Sequence, residues 1–447
     1  MPVHAMLTPL PVTEGTGHGL APDPVLPARD DLLDPPLVAD LLSASLGDDR
    51  LDIRGAELVR VKYRVGESLR VLYRLDVGGR AHLVAGRMFT GGRSAAVHQQ
   101  ALRDALPSGG LRATALDPGR DTVWWTFPND RRLVGLDAVL DPAGLPAALR
   151  EAAGEWSSSA VVQFVPERSV TLRALDPAEQ TLAFVKCYAP QTQDVARLAA
   201  RYDLFASRLR TADPTLRSPR ALAHSRDHNL LLLEPMPGRS WLHLDRPAAI
   251  DALRRLGRAI AVVHATALGA NSASGVRRFV RLDPTHITRA GELISQARPE
   301  LATATRTLTN RLTADPPAAQ EQVLLHGDCH PGNVLVAGDR LSLIDIDQAG
   351  TGPAAADIGS LLARLNYGSV LGERDPATAT VMTNAFLEGY SQVRALPDDS
   401  TLRWYVAAAL VVERGVRAVN RARPSALSKL ERLVGVGHDL LDGRSRS

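Results

Sequence analysis

Leu324-Leu325-His326-Gly327-Asp328-Cys329-His330-Pro331-Gly332-Asn333-Val334-Leu335-Val336 is the densest run of polar functional residues in the chain. Apolar, strand-like flanks hold a polar loop between them. After a turn at Ala337-Gly338-Asp339 the chain returns as Leu341-Ser342-Leu343-Ile344-Asp345-Ile346-Asp347. A hairpin-like return brings Asp328, Asn333 and Asp345 together. A carboxylate, an amide oxygen and a second carboxylate suit Mg2+, which wants hard oxygen ligands and shares its shell with phosphates and water. His326 and His330 beside Asp328 offer a transition-metal reading, but no further ligand stands out beyond the hairpin. His326 reads instead as a residue that buttresses the loop, and Cys329 as a spectator.

An Asp five residues before an Asn on a loop is the arrangement of a kinase catalytic loop. There the Asp accepts the proton of the attacking hydroxyl, and the Asn and a later Asp hold metal. His326-Gly327-Asp328-Cys329-His330-Pro331-Gly332-Asn333 resembles the H-G-D-x-H-x-x-N signature of the aminoglycoside phosphotransferase and choline kinase group of small-molecule kinases, which share the protein-kinase-like fold. Ile344-Asp345 resembles that group's metal-binding strand end, and Asp357-Ile358 its later aspartate that braces the catalytic segment. Glu234-Pro235-Met236-Pro237-Gly238-Arg239-Ser240 resembles the hinge whose backbone binds adenine. Lys186, ending Phe184-Val185-Lys186, resembles the lysine that pairs the α- and β-phosphates.

The resemblance runs from about Ser159 to Tyr390 and implies an ATP- and Mg2+-dependent phosphotransferase. Asp328 would be the base, Asn333 and Asp345 the metal ligands, and His326 and Asp357 the support of the loop. Lys186, Ser169 and the Glu234–Met236 backbone would hold the nucleotide. Three departures stand out. The helix after Lys186 offers only Asp194 and Asp203 where the group places a Glu. The phosphate-covering turn Pro166-Glu167-Arg168-Ser169 has no glycine. Asp347 is open between a second metal ligand and a solvated neighbour.

Outward from this site the fold expected is α+β: a bilobal protein-kinase-like fold with a β-rich small lobe and a helical large lobe, preceded by an extra α+β N-terminal domain. Residues 1–27 read as a flexible leader, 28–155 as the N-terminal domain, 156–238 as small lobe and hinge, and 239–447 as the helical lobe carrying the catalytic loop. Alternation marks strands at Leu58–Arg64, Ser68–Leu75 and Ala81–Arg87, then a helix at Ser94–Leu106, with short strand candidates at Asp121–Phe127 and Arg132–Leu136. The pattern recurs at Val161–Val165, Ser169–Leu175 and Thr181–Tyr188, with a helix at Asp194–Leu209. Tyr63 then matches Phe164, Ser68 matches Ser169 and Arg87 matches Lys186. This reads as an internal duplication, although two unrelated β-meanders look alike at this level. Helical spacing marks Ile250–Thr266, Glu292–Leu312, Pro376–Gln392, Thr401–Arg421 and Ser428–Leu441. His264 reads as a satisfied histidine on a packed helix. Arg414 to Arg423 reads as a solvated helix face, with lining of the substrate cleft as the alternative.

Composition bounds the rest. With 447 residues, 45% hydrophobic and 23% charged, the chain is an ordinary globular protein of two or three domains. Its net charge of +3 gives no nucleic-acid footprint. No apolar run is long enough for a membrane span. Two cysteines, no disulfide framework and no signal peptide point to the cytoplasm. Of the 52 basic residues only Lys62, Lys186 and Lys429 are lysine. From Ser360 onward nine acidic residues stand against twelve basic ones, so no acidic trap for a polycation is visible. The expected partner is a small-molecule hydroxyl acceptor, the expected state a monomer or homodimer. A nucleotide-binding pseudokinase is the alternative.

Overall fold

The structure, a computed structural model, describes residues 19–46, 53–106, 108, 110–133, 136–190, 192–265, 279 and 281–444. They form two compact units. The first comprises residues up to Ala196 with Leu222–Pro235 and Val419–Leu427. The second comprises Arg197–Ala221, Met236–Ala418 and Ser428 onward. Among the described residues no helix is long and apolar enough to cross a membrane.

The first unit holds α1 (Pro35–Leu46), β1 (Ile53–Arg64), β2 (Ser68–Val77), β3 (Arg80–Met88), α2 (Ser94–Arg103), β4 (Thr114–Asp117) and β5 (Thr122–Thr126). There follow α3 (Leu136–Leu140), α4 (Ala147–Ala153), β6 (Ser158–Val165), β7 (Ser169–Leu175), β8 (Thr181–Tyr188) and the start of α5 (Val195–Ala212). After β9 (Leu216–Arg217) come β10 (Ala221–Ser225) and β11 (Leu230–Leu233). Of Arg132–Leu136, read as a strand, residues 134 and 135 lie outside the described residues, and the described ones are not strand: Asp130 accepts from the amides of Arg132 and Leu133, which turns the chain, and Leu136 opens α3.

Two five-stranded sheets result, in the orders β1-β2-β3-β5-β4 and β10-β11-β8-β7-β6. Followed from β1 and from β6 they have the same plan: a three-strand meander, then the later of two return strands beside it and the earlier one outermost. The register repeats as well. Arg64 pairs with Ser68 and Arg70 with Arg87 in the first; Val165 pairs with Ser169 and Thr171 with Lys186 in the second. Arg87 and Lys186 therefore occupy equivalent ladder positions. Alternation buries Val59, Leu72 and Leu83 from the first sheet in one core with Val161, Phe164, Leu172 and Val185 from the second, filled by Leu136, Val139 and Leu149. Of the leader, residues 1–18 lie outside the described residues. From Gly19 onward the chain is tied down, because Asp23 accepts from Tyr63 Oη (2.7 Å) and the Gly66 amide (2.9 Å).

Lys62, Arg70 and Arg87 lie directly opposite one another across three strands. Like charges in that position repel. The compensation comes from Glu167, in the β6–β7 turn with φ 60°. Its buried carboxylate meets Arg87, Arg70 (3.0 Å) and Arg131 (3.0 Å). Burial would raise its pKa, but these guanidinium groups bring it down to about 2 from an ordinary 4.5. A depressed pKa gives stability that is present above about pH 4.5 and is lost as pH falls toward 2. Glu167→Gln is therefore expected to cost about 1–3 kcal/mol near neutrality, less than for a fully buried pair because the arginines reach solvent. Melting temperatures from pH 7 to 2.5 check this: the wild type should fall more steeply below pH 5 than the variant.

The second unit begins with the rest of α5 and β9, then β12 (Arg239–Ser240), α6 (Arg246–His264), α7 (Pro284–Ala297) and α8 (Ala302–Ala314). The single helix read over Glu292–Leu312 is thus two, because Pro299 cannot continue a helix. The insert is β13 (Gln322–Leu325), β14 (Val334–Ala337), β15 (Arg340–Leu343) and β16 (Gly350–Pro353). Helices α9 (Ala354–Leu371), α10 (Pro376–Ser391) and α11 (Asp399–Ala409) follow. A π turn at Leu410–Gly415 then leads into α12 (Val416–Arg421), α13 (Pro424–Leu427) and α14 (Leu430–Leu441). Helix α9 escaped the sequence reading: it is buried nearly all round, so its apolar residues show no one-sided stripe. Helices α6 and α10 touch backbone to backbone. A Cβ on Gly257 would lie 2.0 Å from the Phe386 carbonyl oxygen, and one on Gly389 1.8 Å from that of Arg254.

Candidate active site

Strand β13 pairs with β16, Leu325 opposite Gly350, so the loop after Leu325 starts beside the end of Asp345–Ala349. Gly327 has φ +78°, and a Cβ there would sit 2.1 Å from the Gln348 carbonyl oxygen. Only glycine fits this close approach.

Asp357 lies in the first turn of α9 and is buried. Its carboxylate accepts from the amides of His326 (2.7 Å) and Gly327 (2.9 Å) and from His264 Nε2 (3.2 Å). Tyr390 Oη stands 2.9 Å from the other nitrogen of His264. In the tautomer whose Nε2 donates to the carboxylate, Nδ1 accepts the hydrogen bond from Tyr390 Oη. Burial would push the Asp357 carboxyl up. The bond from His264, the neighbouring imidazoles and the Gly327 amide outweigh it and hold the group below the ordinary carboxylate value. The histidine read as merely satisfied is thus the support of the residue that supports the loop.

His326 is fully buried and ties the two halves of the hairpin together. Its Nδ1 accepts from the Asp328 amide (3.4 Å), and its Nε2 donates to the Ile344 carbonyl (3.2 Å). Asn333 donates through Nδ2 to the Asp328 carbonyl (3.1 Å), and its own carbonyl accepts from the Ile344 amide (3.0 Å). The β14–β15 ladder continues from there, Val334 opposite Leu343. Asn333 and Asp345 therefore flank the open end of one hairpin, with Asp328 held to Asn333. Asp345 is exposed and has a left-handed backbone, φ 59° and ψ 54°, which costs a non-glycine residue energy and turns it out of the strand. Asp347 accepts from Tyr202 Oη of α5 (2.9 Å), a bond between residues 145 apart that no local pattern signals. Cys329 is buried, and burial raises its thiol well above the ordinary value, so it has no thiolate to attack with.

Of the nucleotide candidates, Lys186, Ser169 and Glu234 lie on the first unit. Lys186 is on β8, the central strand of its sheet, between Thr171 and Leu231. Ala183, Val185 and Cys187 point into the core, so Lys186 is on the opposite face. Ser169 opens β7 opposite Val165 and Tyr188. Glu234 follows β11 directly, and Met236 belongs to the second unit. Of the two helix-borne carboxylates, Asp194 accepts from the Ala196 amide (3.1 Å) as α5 starts, and Asp203 from the Ala221 amide (3.1 Å).

Residues 176–396 match the phosphotransferase enzyme family. No curated protein matches the sequence. Similar solved structures include a macrolide 2'-phosphotransferase from Brachybacterium faecium, with 19% identity over 67% of this chain and 98% of that one, TM-score 0.45. A putative aminoglycoside phosphotransferase from Ralstonia eutropha shares 14% over 67% and 98%, TM-score 0.48. Aminoglycoside phosphotransferase APH(3'')-Id from Streptomyces rimosus shares 19% over 67% and 99%, TM-score 0.43.

Proposed function

We propose that the chain, whose residues 176–396 match the phosphotransferase enzyme family, is a cytoplasmic kinase that moves the γ-phosphoryl group of ATP to a hydroxyl of a small molecule. The observation that supports this reading is the loop and hairpin carrying these residues: Asn333 Nδ2 bonds the Asp328 carbonyl, and His326 bonds both Asp357 and the Ile344 carbonyl next to Asp345.

Asp328 takes the proton of the acceptor hydroxyl as its oxygen bonds to the γ-phosphorus. The bond from that phosphorus to the β–γ bridging oxygen breaks, and ADP leaves with the electron pair. Asp328 is left protonated and returns its proton to solvent. Asn333 and Asp345 fit a magnesium ion: both offer hard oxygen donors, Nδ2 of Asn333 is already used, and its Oδ1 remains to bind. The ion, when bound, neutralises charge on the phosphates. Lys186 pairs the α- and β-phosphates, Ser169 contacts phosphate from the β6–β7 turn, and the backbone from Glu234 to Met236 receives adenine. The rate comes from positioning and fixed charges rather than from a covalent intermediate.

An ADP-release assay across amino sugars, neutral sugars, sugar acids and amino alcohols tests this. The expected result is release that requires both magnesium and an acceptor. Failure of the protein to bind ATP with magnesium would overturn the reading; tight binding with no turnover on any acceptor would favour a pseudokinase.

A further inference from the structure

Arg414 does not lie on a solvated helix face: it is 5% exposed. The π turn at Leu410–Gly415 adds a residue to the helical repeat and buries both Glu413 and Arg414, a distortion that tends to mark functional sites. Both oxygens of Glu413 are taken. Oε1 meets Arg281 (3.2 Å), and Oε2 meets Ser360 Oγ (2.6 Å) and Arg414 (3.0 Å). Arg414 Nε remains buried without a partner, as does His330 Nδ1, two residues after Asp328.

Helix α9 links this cluster to the catalytic loop. Asp357, Ser360 and Arg364 are spaced by three and four residues and lie on one helix face. The first holds the loop and the second holds Glu413. The third, half-buried, has no hydrogen-bond or ion-pair partner among the described residues. Burial and the guanidinium groups of Arg414 and Arg417 bring Arg364 down to about 10, against the pull of Asp328 and Glu413. Burial and the same three arginines, together with His326, keep His330 neutral. The carboxylates facing Arg364 are thus the Asp328 base and the already saturated Glu413. Arg364, half-buried and without an ion-pair partner, and the unpaired Nε of the buried Arg414 are groups the described residues leave incomplete, and a cationic group withdrawn from water is costly unless a ligand completes it.

We propose that the acceptor reaching Asp328 is an anion, a hydroxyl compound bearing a carboxylate or phosphate that Arg364 binds with help from Arg414 and Arg417. This rests on the kinase reading and narrows its substrate class. A cationic amino sugar meets repulsion at this site, whereas a fork of guanidinium donors suits a planar carboxylate or a phosphate.

The test is calorimetric titration of the full chain, with and without saturating magnesium and a non-hydrolysable ATP analogue. The probes are gluconate, glycerol 3-phosphate, glycerol and glucosamine. At least one anion is expected to bind more tightly than glycerol and glucosamine, with affinity falling as salt rises. Arg364→Met should weaken that binding about tenfold, the worth of one charged hydrogen bond, and leave the affinity for the nucleotide analogue unchanged. Arg364→Lys should restore part of it. Arg417→Gln, at an exposed position, should weaken it in the same direction and serves if Arg364→Met does not fold. Binding of gluconate alone assigns a carboxylate, and of glycerol 3-phosphate alone a phosphate. Equal or tighter binding of glucosamine, no binding of either anion, or anion binding indifferent to Arg364 would overturn the proposal. Loss of nucleotide-analogue binding in the wild type would instead strike the kinase reading.

Discussion

In Asp328→Asn, kcat is expected to fall by about 10^2–10^4, the range for loss of a positioned general base, while nucleotide affinity and melting temperature stay close to wild type. The reason lies in which atoms of Asp328 hold the loop. Its amide donates to His326 Nδ1 and its carbonyl accepts from Asn333 Nδ2. Both are main-chain atoms, and asparagine supplies them unchanged. The side chain is half-buried and faces the cationic cluster of Arg364, so the variant removes a proton acceptor and one negative charge and little packing. Single-turnover kinetics beside a thermal melt separate the two effects. A variant that keeps more than about a tenth of wild-type kcat would show that Asp328 is not the base.

Asp357→Ala should fail differently, losing stability and activity together. Removing this carboxylate leaves the amides of His326 and Gly327 and the Nε2 proton of His264 without an acceptor in a dry interior. Breaking a buried charged network of this kind costs about 3–5 kcal/mol. Asp357→Asn retains one carbonyl oxygen and should lose less. Because the Asp357 carboxyl is held below the ordinary value of 3.8, its contribution is present above that pH and is lost as pH falls through the depressed pKa. Chemical denaturation at pH 7 and pH 3 reads both statements: the gap between wild type and Asp357→Ala should narrow at pH 3. A stable Asp357→Ala protein with normal activity would mean that the loop is held by His326 and Gly327 alone.

These two aspartates also mark how far a sequence can be read. Asn333 and Asp345 flank one short hairpin and Asp328 lies on the loop that leads into it, so strand–turn–strand patterning is enough to propose them as one site. The β-meanders were legible for the same reason, since period-2 alternation is local. Helix α9 was not, because an element buried on all sides shows no periodicity. The break between α7 and α8 is marked in the sequence by Pro299, although helical spacing continues past it.

Sequence by itself determined which side chains sit on the candidate hairpin, that the donors of Asp328, Asn333 and Asp345 are oxygens, and that a helical segment follows a β-rich one. Tertiary structure alone decided what holds that chemistry in place. His264 reaches Asp357 across 93 residues, Arg87 reaches Glu167 across 80, and Ser360 reaches Glu413 across 53. Tertiary structure also decided that Arg414 is buried rather than solvated. Hydrogen bonds and ion pairs act over a few ångströms, and no spacing rule says which distant residues the fold will bring within that range.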